Sequence, residues 1–519
     1  MKVFTMCSPR YPVCAALVVI VLAGSIFLAG CTGTAPDSGA VRTESGQVFG
    51  TSSDGIRAYL GIPYAAPPTG DLRWRPPVPA QPWQGTRPAT AFGPACPQLV
   101  APDTGVMELP GNMSEDCLYL NVWTPARGGN EKLPVMVFIH GGSFLQGAGS
   151  MPLYNGTNLA KKGVVAVNLN YRLGPLGFLA HPALANESPM HSSGNYGLED
   201  QAMALRWVRN NIAGFGGDPD RITIFGESAG GTSVLVHLAG NETRGLYRQA
   251  IVESGPLWTN GSTISIISTM PEAERYGEEF AESLGYTGPD AIGRMRNVDV
   301  WTLVNATPPA SSAFWEIRML RFKPVIDGKL VPGKPETIFL EGRQNPVPLI
   351  IGTNSDEGTV LAAGTGMNVT EYQRFIRSHF GEYAGDVLDA YPATTPEEVQ
   401  QQMERIMTDI DFSQAAEVVA GSQSKLNRNT YLYRFSYVML PDSPLGAFHG
   451  EELFFIFRPA AITPDPAGGR VSDTMMNAWT SFVRTGDPNG GMNVTWPQYT
   501  IEKGEFLDIG ANPVVKTGY

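Results

Sequence analysis

Basic residues are in short supply in this 519-residue chain, where 37 Lys and Arg stand against 49 Asp and Glu for a formal charge of −12. That balance argues against nucleic acid or an anionic membrane surface as an electrostatic partner. It mildly disfavours strongly anionic substrates as well. Cysteine and histidine are also scarce, at five and six residues. No clustered His/Cys/acid spacing suggests a metal site, and the glycine pairs lack the Lys-Ser/Thr ending of a phosphate loop. No cofactor is therefore implied. Length alone suggests up to three domains, yet no low-complexity linker or internal repeat interrupts the chain after Arg42. The one long apolar run, Val13 to Leu28, is too short for a stable membrane span and reads as a signal segment. What remains is 43% hydrophobic and only 17% charged, with 59 Gly and 42 Pro, the composition of a large, loop-rich globular chain.

Against those absences stands Gly226-Glu227-Ser228-Ala229-Gly230. In so glycine-rich a chain the Gly-x-Ser-x-Gly string alone is weak evidence. Its context is not. Arg221 to Phe225 before it is a short β-branched and aromatic run, and Gly230 to Leu238 after it is apolar and helix-compatible. Strand, tight Gly-framed turn and helix form the setting of a nucleophile elbow, with Ser228 as the candidate nucleophile. Such a serine expects an acid next and a histidine last in chain order. Only His379 and His449 lie beyond the elbow and its helix. His379 falls in a polar, helix-like stretch and reads as a surface residue. His449, in Gly446-Ala447-Phe448-His449-Gly450, has small neighbours that suit an imidazole reaching into a cleft. For the acid, Asp356 and Glu357 follow the buried-type strand Pro348 to Gly352, where an α/β sheet places its chemistry. Spacing does not separate the two.

Several separated motifs then carry a resemblance. They include Gly61-Ile62-Pro63-Tyr64-Ala65, Leu72-Arg73-Trp74-Arg75-Pro76-Pro77, Ser114-Glu115-Asp116-Cys117-Leu118, His140-Gly141-Gly142-Ser143-Phe144, Asn170-Tyr171-Arg172-Leu173-Gly174, Phe215-Gly216-Gly217-Asp218-Pro219 and Thr485-Gly486-Asp487-Pro488-Asn489. From about Gly46 to its end the chain resembles the type-B carboxylesterases, which include cholinesterases and bacterial para-nitrobenzyl-type esterases. The resemblance implies an α/β-hydrolase fold: a large, mostly parallel central sheet with helices on both faces and long insertions. It makes Glu357, not Asp356, the triad acid and His449 the base. It assigns the oxyanion hole to backbone N–H groups of Ala229 and of the Gly141-Gly142 loop, with Ser143 where the family often has a third glycine. It pairs Cys96 with Cys117 as a disulfide near the active-site mouth. That loop holds no tryptophan, so the indole platform on which cholinesterases bind choline is missing from its expected place.

The substrate expected is a small to medium neutral carboxylic ester, hydrolysed through an acyl-enzyme. Alternatives are a hydrolase of carbamates, amides or polymeric or aryl esters, and a non-catalytic cholinesterase-like adhesion module. Phe144, Trp258, Phe448, Phe314 and Trp315 are candidates to line the pocket, each weighed against an ordinary core role. Glu227 is a candidate buried carboxylate beside the nucleophile. At the N-terminus, Leu28-Ala29-Gly30-Cys31 resembles a prokaryotic lipoprotein box. Residues 1–30 then form the signal peptide, 31–43 the lipidated Cys31 and a flexible tether, and 44–519 one catalytic domain. Removing Lys2 and Arg10 with the signal takes the charge from −12 to −14. The expected location is outside the cell, lipid-anchored on the outer face of the membrane.

Overall fold

The structure, a computed structural model, describes residues 39–99, 111–259, 262–263, 265–307, 321–459 and 465–519. The signal segment, Cys31 and most of the tether, along with Phe314 and Trp315, lie outside the described residues. Residues 36–519 form one compact unit. No helix among the described residues is long and apolar enough to cross a membrane.

An 11-stranded sheet organises this unit. Its strands are β1 Thr51–Ser53, β2 Ile56–Pro63, β3 Tyr119–Thr124, β4 Leu133–Ile139, β5 Val165–Leu169, β6 Gly217–Glu227, β7 Gln249–Glu253, β8 Leu349–Asn354, β9 Thr430–Phe435, β10 Glu505–Ile509 and β11 Val514–Thr517. In space they run β11-β10-β9-β8-β7-β6-β4-β5-β3-β2-β1. Strands β5, β4 and β6 to β10 are parallel, while β1, β2, β3 and β11 pair antiparallel at the two sides. β6 starts earlier than its apolar run predicts. Gly217 pairs with Leu133 across a register irregularity, which draws the polar Asp218–Asp220 into the strand.

Strand side chains alternate between two cores, as a period of two requires. Val135, Val137 and Ile139 of β4 enter one hydrophobic cluster, and Met136 and Phe138 enter the other. Helices α1 (Tyr196–Asn211) and α2 (Ala229–Ala239) cover the first face. Every residue of α2 is buried, which is why its sequence is apolar or small all round rather than striped. An insertion with its own core follows β8. It contains α3 (Val369–Phe380) and α4 (Pro396–Ile406), each opened by a capping box, from Asn368/Glu371 and Thr395/Glu398. A π-helical stretch, Met407–Ser413, leads from α4 into α5 (Gln414–Leu426). Helix α6 (Pro466–Thr485) packs Val471, Met475, Trp479 and Phe482 onto the second face. Cys96 and Cys117 form a disulfide.

Candidate active site

Ser228 stands between the end of β6 and the start of α2. Its backbone sits at φ 57°, ψ −123°, a region that side-chain-bearing residues rarely occupy and that persists only when the surroundings enforce it. The Ser228 N–H donates to the Glu253 carbonyl at 3.0 Å, and the Thr232 N–H donates to the Ser228 carbonyl at 2.9 Å. The flanking glycines permit the turn: a Cβ on Gly226 would lie 2.6 Å from the Gly230 carbonyl group. Strand, strained serine and buried helix are therefore all as the sequence predicts.

The structure separates the two acids that spacing leaves open. Asp356 accepts the Ala447 N–H at 2.9 Å on Oδ2, and its own N–H donates to the Ala447 carbonyl at 3.1 Å. It fastens the loop that carries the histidine. Gly446 has to be glycine there, since it has φ 62° and its Cβ would meet the Asp356 carboxylate at 2.5 Å. Glu357 turns inward and is fully buried. Its Oε1 accepts the Asn354 N–H at 2.7 Å and its Oε2 accepts Nδ1–H of His449 at 2.5 Å. Being held at Nδ1 fixes the tautomer and leaves Nε2 for chemistry.

Nε2 of His449 lies 3.2 Å from Oε1 of Glu227. The contact is close enough for ion pairing but is not aligned as a hydrogen bond, and that oxygen has no hydrogen-bond partner among the described residues. Burial works against the imidazolium, but Glu227 and Glu357 outweigh it and lift the pKa of His449 to about 9. Burial also raises the carboxyl of Glu227, with the His449 charge opposing the rise. No hydrogen bond joins Ser228 to His449 in this arrangement. Such bonds are often long in unliganded hydrolases and tighten with substrate.

The loop after β4 closes the site from the other side. A Cβ on Gly141 would stand 2.8 Å from both the carbonyl oxygen and Oε2 of Glu227, and 3.0 Å from Cβ of Ser228. The loop thus lies directly on the elbow. His140 is buried, stacks on Tyr171 at 4.4 Å, and donates from Nδ1 to the Gly141 carbonyl at 2.8 Å. Burial lowers its pKa to about 4, so it stays a neutral donor. Because the peptide is trans and planar, pinning that carbonyl sends the Gly142 N–H to the opposite edge. Gly142 itself has φ 101° and Ser143 has φ 57°. Ser143 thus follows a positive-φ path that glycine adopts more readily. Among the described residues, no protein acceptor takes the N–H of Gly141, Gly142 or Ala229.

The pocket candidates divide. Phe144 is a correction: it is fully buried and packs on Phe178 at 5.0 Å, with a backbone carbonyl that accepts the Gly174 N–H. Its positive φ of 60° turns the ring into the core. Trp258 is half-buried and donates from Nε1 to the Ile410 carbonyl at 2.7 Å. Phe448 is half-buried, and its carbonyl accepts Nδ2–H of Asn354 at 2.7 Å. Glu227 is buried beside both His449 and Gly141. His379 lies half-exposed on α3, stacked on Phe375.

Sequence reading missed several contributors. Phe412, from the π-helical stretch, contacts the His449 ring at 5.1 Å; its position 37 residues earlier carries no signal. Glu452 is buried, accepts Nδ2–H of Asn354 at 2.5 Å and leaves its other oxygen without a partner. Glu253, at the end of β7, accepts Nε1–H of Trp479 at 2.6 Å. Burial raises Glu253 to about 8 and Glu452 well above the ordinary range. Two acids heading the aromatic run Leu453–Phe457 were the available hint, since they join an apolar segment.

Residues 37–519 match the family model described as the carboxylesterase family. The para-nitrobenzyl esterase of Bacillus subtilis is 39% identical over 92% of this chain and 96% of its own length. The fumonisin B1 esterase of Sphingopyxis macrogoltabida is 36% identical over 90% of this chain and 86% of its own. A solved structure of a PNB esterase superposes with a TM-score of 0.80 at 36% identity, covering 92% of this chain and 97% of that one. The α/β-hydrolase sheet, the strained serine and these relatives agree: the chain belongs to the carboxylesterase family and is a carboxylic ester hydrolase.

Proposed function

We propose that Ser228 is the nucleophile, His449 the general base and Glu357 its orienting acid, and that the substrates are small to medium neutral carboxylic esters. The observation that carries this reading is the short Glu357–His449 hydrogen bond, set at the carboxyl ends of parallel strands beside a serine held at positive φ. Serine attacks well only when a neighbour takes its proton, and Nε2, the ring nitrogen that Glu357 does not hold, is the one for that task. The same imidazolium returns the proton to the leaving alcohol. Glu357 stabilises the charged ring without taking the proton. The N–H groups of Ala229, Gly141 and Gly142 would receive the oxyanion, each such donor being worth about 3–4 kcal/mol in known cases. Rapid mixing with para-nitrophenyl acetate tests the scheme. A burst of nitrophenolate equal to the enzyme concentration, followed by slower turnover, is expected of an acyl-enzyme. Steady turnover that responds to Ser228→Ala but never shows the burst, over acyl chains from acetate to octanoate, would put the slow step before acylation and leave the intermediate unsupported.

The pH profile follows from the two carboxylates around His449. The ring serves as a base only when neutral, so kcat/KM should climb with pH through the raised value near 9. Glu227→Gln removes one of the two negative charges that favour the imidazolium. The alkaline climb should then move to lower pH, by roughly one unit. A profile between pH 6 and 10 that stays put, or moves to higher pH, contradicts this placement of charge.

The Leu28–Cys31 box supports an exported, lipid-anchored form, and the Cys96–Cys117 disulfide suits an oxidising compartment. Cys31→Ala should shift esterase activity from the membrane fraction to the soluble one. Activity that stays with the membranes would dismiss the lipid anchor.

A further inference from the structure

A cavity of about 290 Å3 opens where the N-terminus of α1 meets the segments around Trp74, Glu187 and Lys329. None of Ser228, Glu357 and His449 lines it. Its volume is at the lower end of small-molecule sites. Trp74, Leu184 and Met190 are the large apolar side chains of the lining; the indole N–H of Trp74 is already given to the Pro175 carbonyl.

The charged groups of the lining fall into two sets. Glu187 is occupied, forked by Arg296 at 2.8 and 2.6 Å and paired with Arg75 at 3.2 Å. Asp327 is occupied too, by Nδ2–H of Asn195 at 2.8 Å and by the N–H groups of Lys329 and Val331 at 2.9 Å. Two groups are left over. Neither carboxylate oxygen of Glu199 accepts a hydrogen bond among the described residues, and its Oε2 is buried. The Lys329 side chain forms no ion pair or hydrogen bond among the described residues. Glu199 is half-buried, and a buried carboxylate oxygen that accepts no hydrogen bond loses hydration that nothing returns, so native structures rarely leave one unanswered. Burial accordingly raises Glu199 to about 7, against the charges of Arg172 and Lys329.

We propose that this cavity binds a small zwitterion, a free α-amino acid with an aliphatic side chain, its ammonium on Glu199, its carboxylate on Lys329 and its side chain against Trp74, Leu184 and Met190. A purely anionic ligand would face Glu199, and a purely cationic one would face Lys329. Only a molecule carrying both charges answers both groups. The apolar side chains of the lining then select leucine-like over polar side chains.

Calorimetric titration of the full-length protein with L-leucine tests this. Saturable one-site binding is expected with Kd at or below about 1 mM. Glu199→Gln should weaken it at least tenfold, and Lys329→Met several-fold. Isoamylamine and 4-methylpentanoate, each keeping one of the two charges, should bind at least tenfold more weakly than leucine. Hydrolysis of para-nitrophenyl acetate by both variants should stay within twofold of the parent, which shows that they are folded. Absence of saturable heat from leucine with the active parent protein overturns the proposal, as does binding that neither substitution changes. Equal binding of isoamylamine and leucine overturns the zwitterion assignment in favour of a simple amine.

Discussion

Ser228→Ala should lower kcat on para-nitrophenyl acetate by about 10^4- to 10^6-fold, the range seen when the nucleophile of a serine hydrolase is removed. The protein should meanwhile keep its melting temperature. Both halves follow from the surroundings of Ser228. Its backbone is held by the Glu253 and Thr232 hydrogen bonds, which alanine retains, and the positive φ is no worse for alanine than for serine. The hydroxyl makes no hydrogen bond among the described residues, so its loss leaves no partner there unsatisfied. Rate and fold are thus separable at this position. Residual hydrolysis above the uncatalysed rate is expected, because the donors proposed at Gly141, Gly142 and Ala229 would still stabilise attack by water. The check is a stopped or continuous nitrophenolate assay beside a thermal melt. A variant that keeps a hundredth or more of parental kcat would mean that another nucleophile does the work.

Much of this site was legible in the sequence because the relevant signals are local. An elbow is five residues with a strand before and a helix after, and its strain is written in its glycines. The central strands were legible for the same reason: Val135 to Ile139 and Leu349 to Gly352 are apolar runs that suit burial on both faces. What the residues alone left open was a question of direction. Asp356 and Glu357 are neighbours in sequence, and resemblance chose between them. The structure supplies the physical reason: Asp356 is spent on the Ala447 backbone, while Glu357 reaches His449. Phe144 went wrong on the same ground. Its place beside the glycine loop suggested a pocket, but a backbone at φ 60° turns it onto Phe178. Contacts made across the fold were not readable at all. Phe412 reaches the histidine from a π-helical stretch 37 residues earlier in the chain, and Glu253 comes from the neighbouring strand of the sheet.

Gly141→Ala tests whether the approach of the loop to the elbow is itself required for rate. The new Cβ would stand 2.8 Å from the carbonyl oxygen and from Oε2 of Glu227, and 3.0 Å from Cβ of Ser228. Neither neighbour can give way. The carbonyl belongs to the strained turn, and the Glu227 side chain is buried between the loop and His449. The loop must therefore withdraw, carrying the Gly141 and Gly142 N–H groups away from the proposed oxyanion position. Losing one such donor costs about 10^2- to 10^3-fold in kcat in known hydrolases. That fall is expected here in kcat with KM little changed, because the donors act on charge that develops after binding. Gly385→Ala is the control. A Cβ there meets nothing within 4 Å, so activity should be unchanged. A loss confined to KM would move Gly141 from the oxyanion hole to the substrate-binding surface. If Gly141→Ala kept full kcat, the donors would have to be sought elsewhere, and the pinning of the Gly141 carbonyl by His140 would be structural support alone.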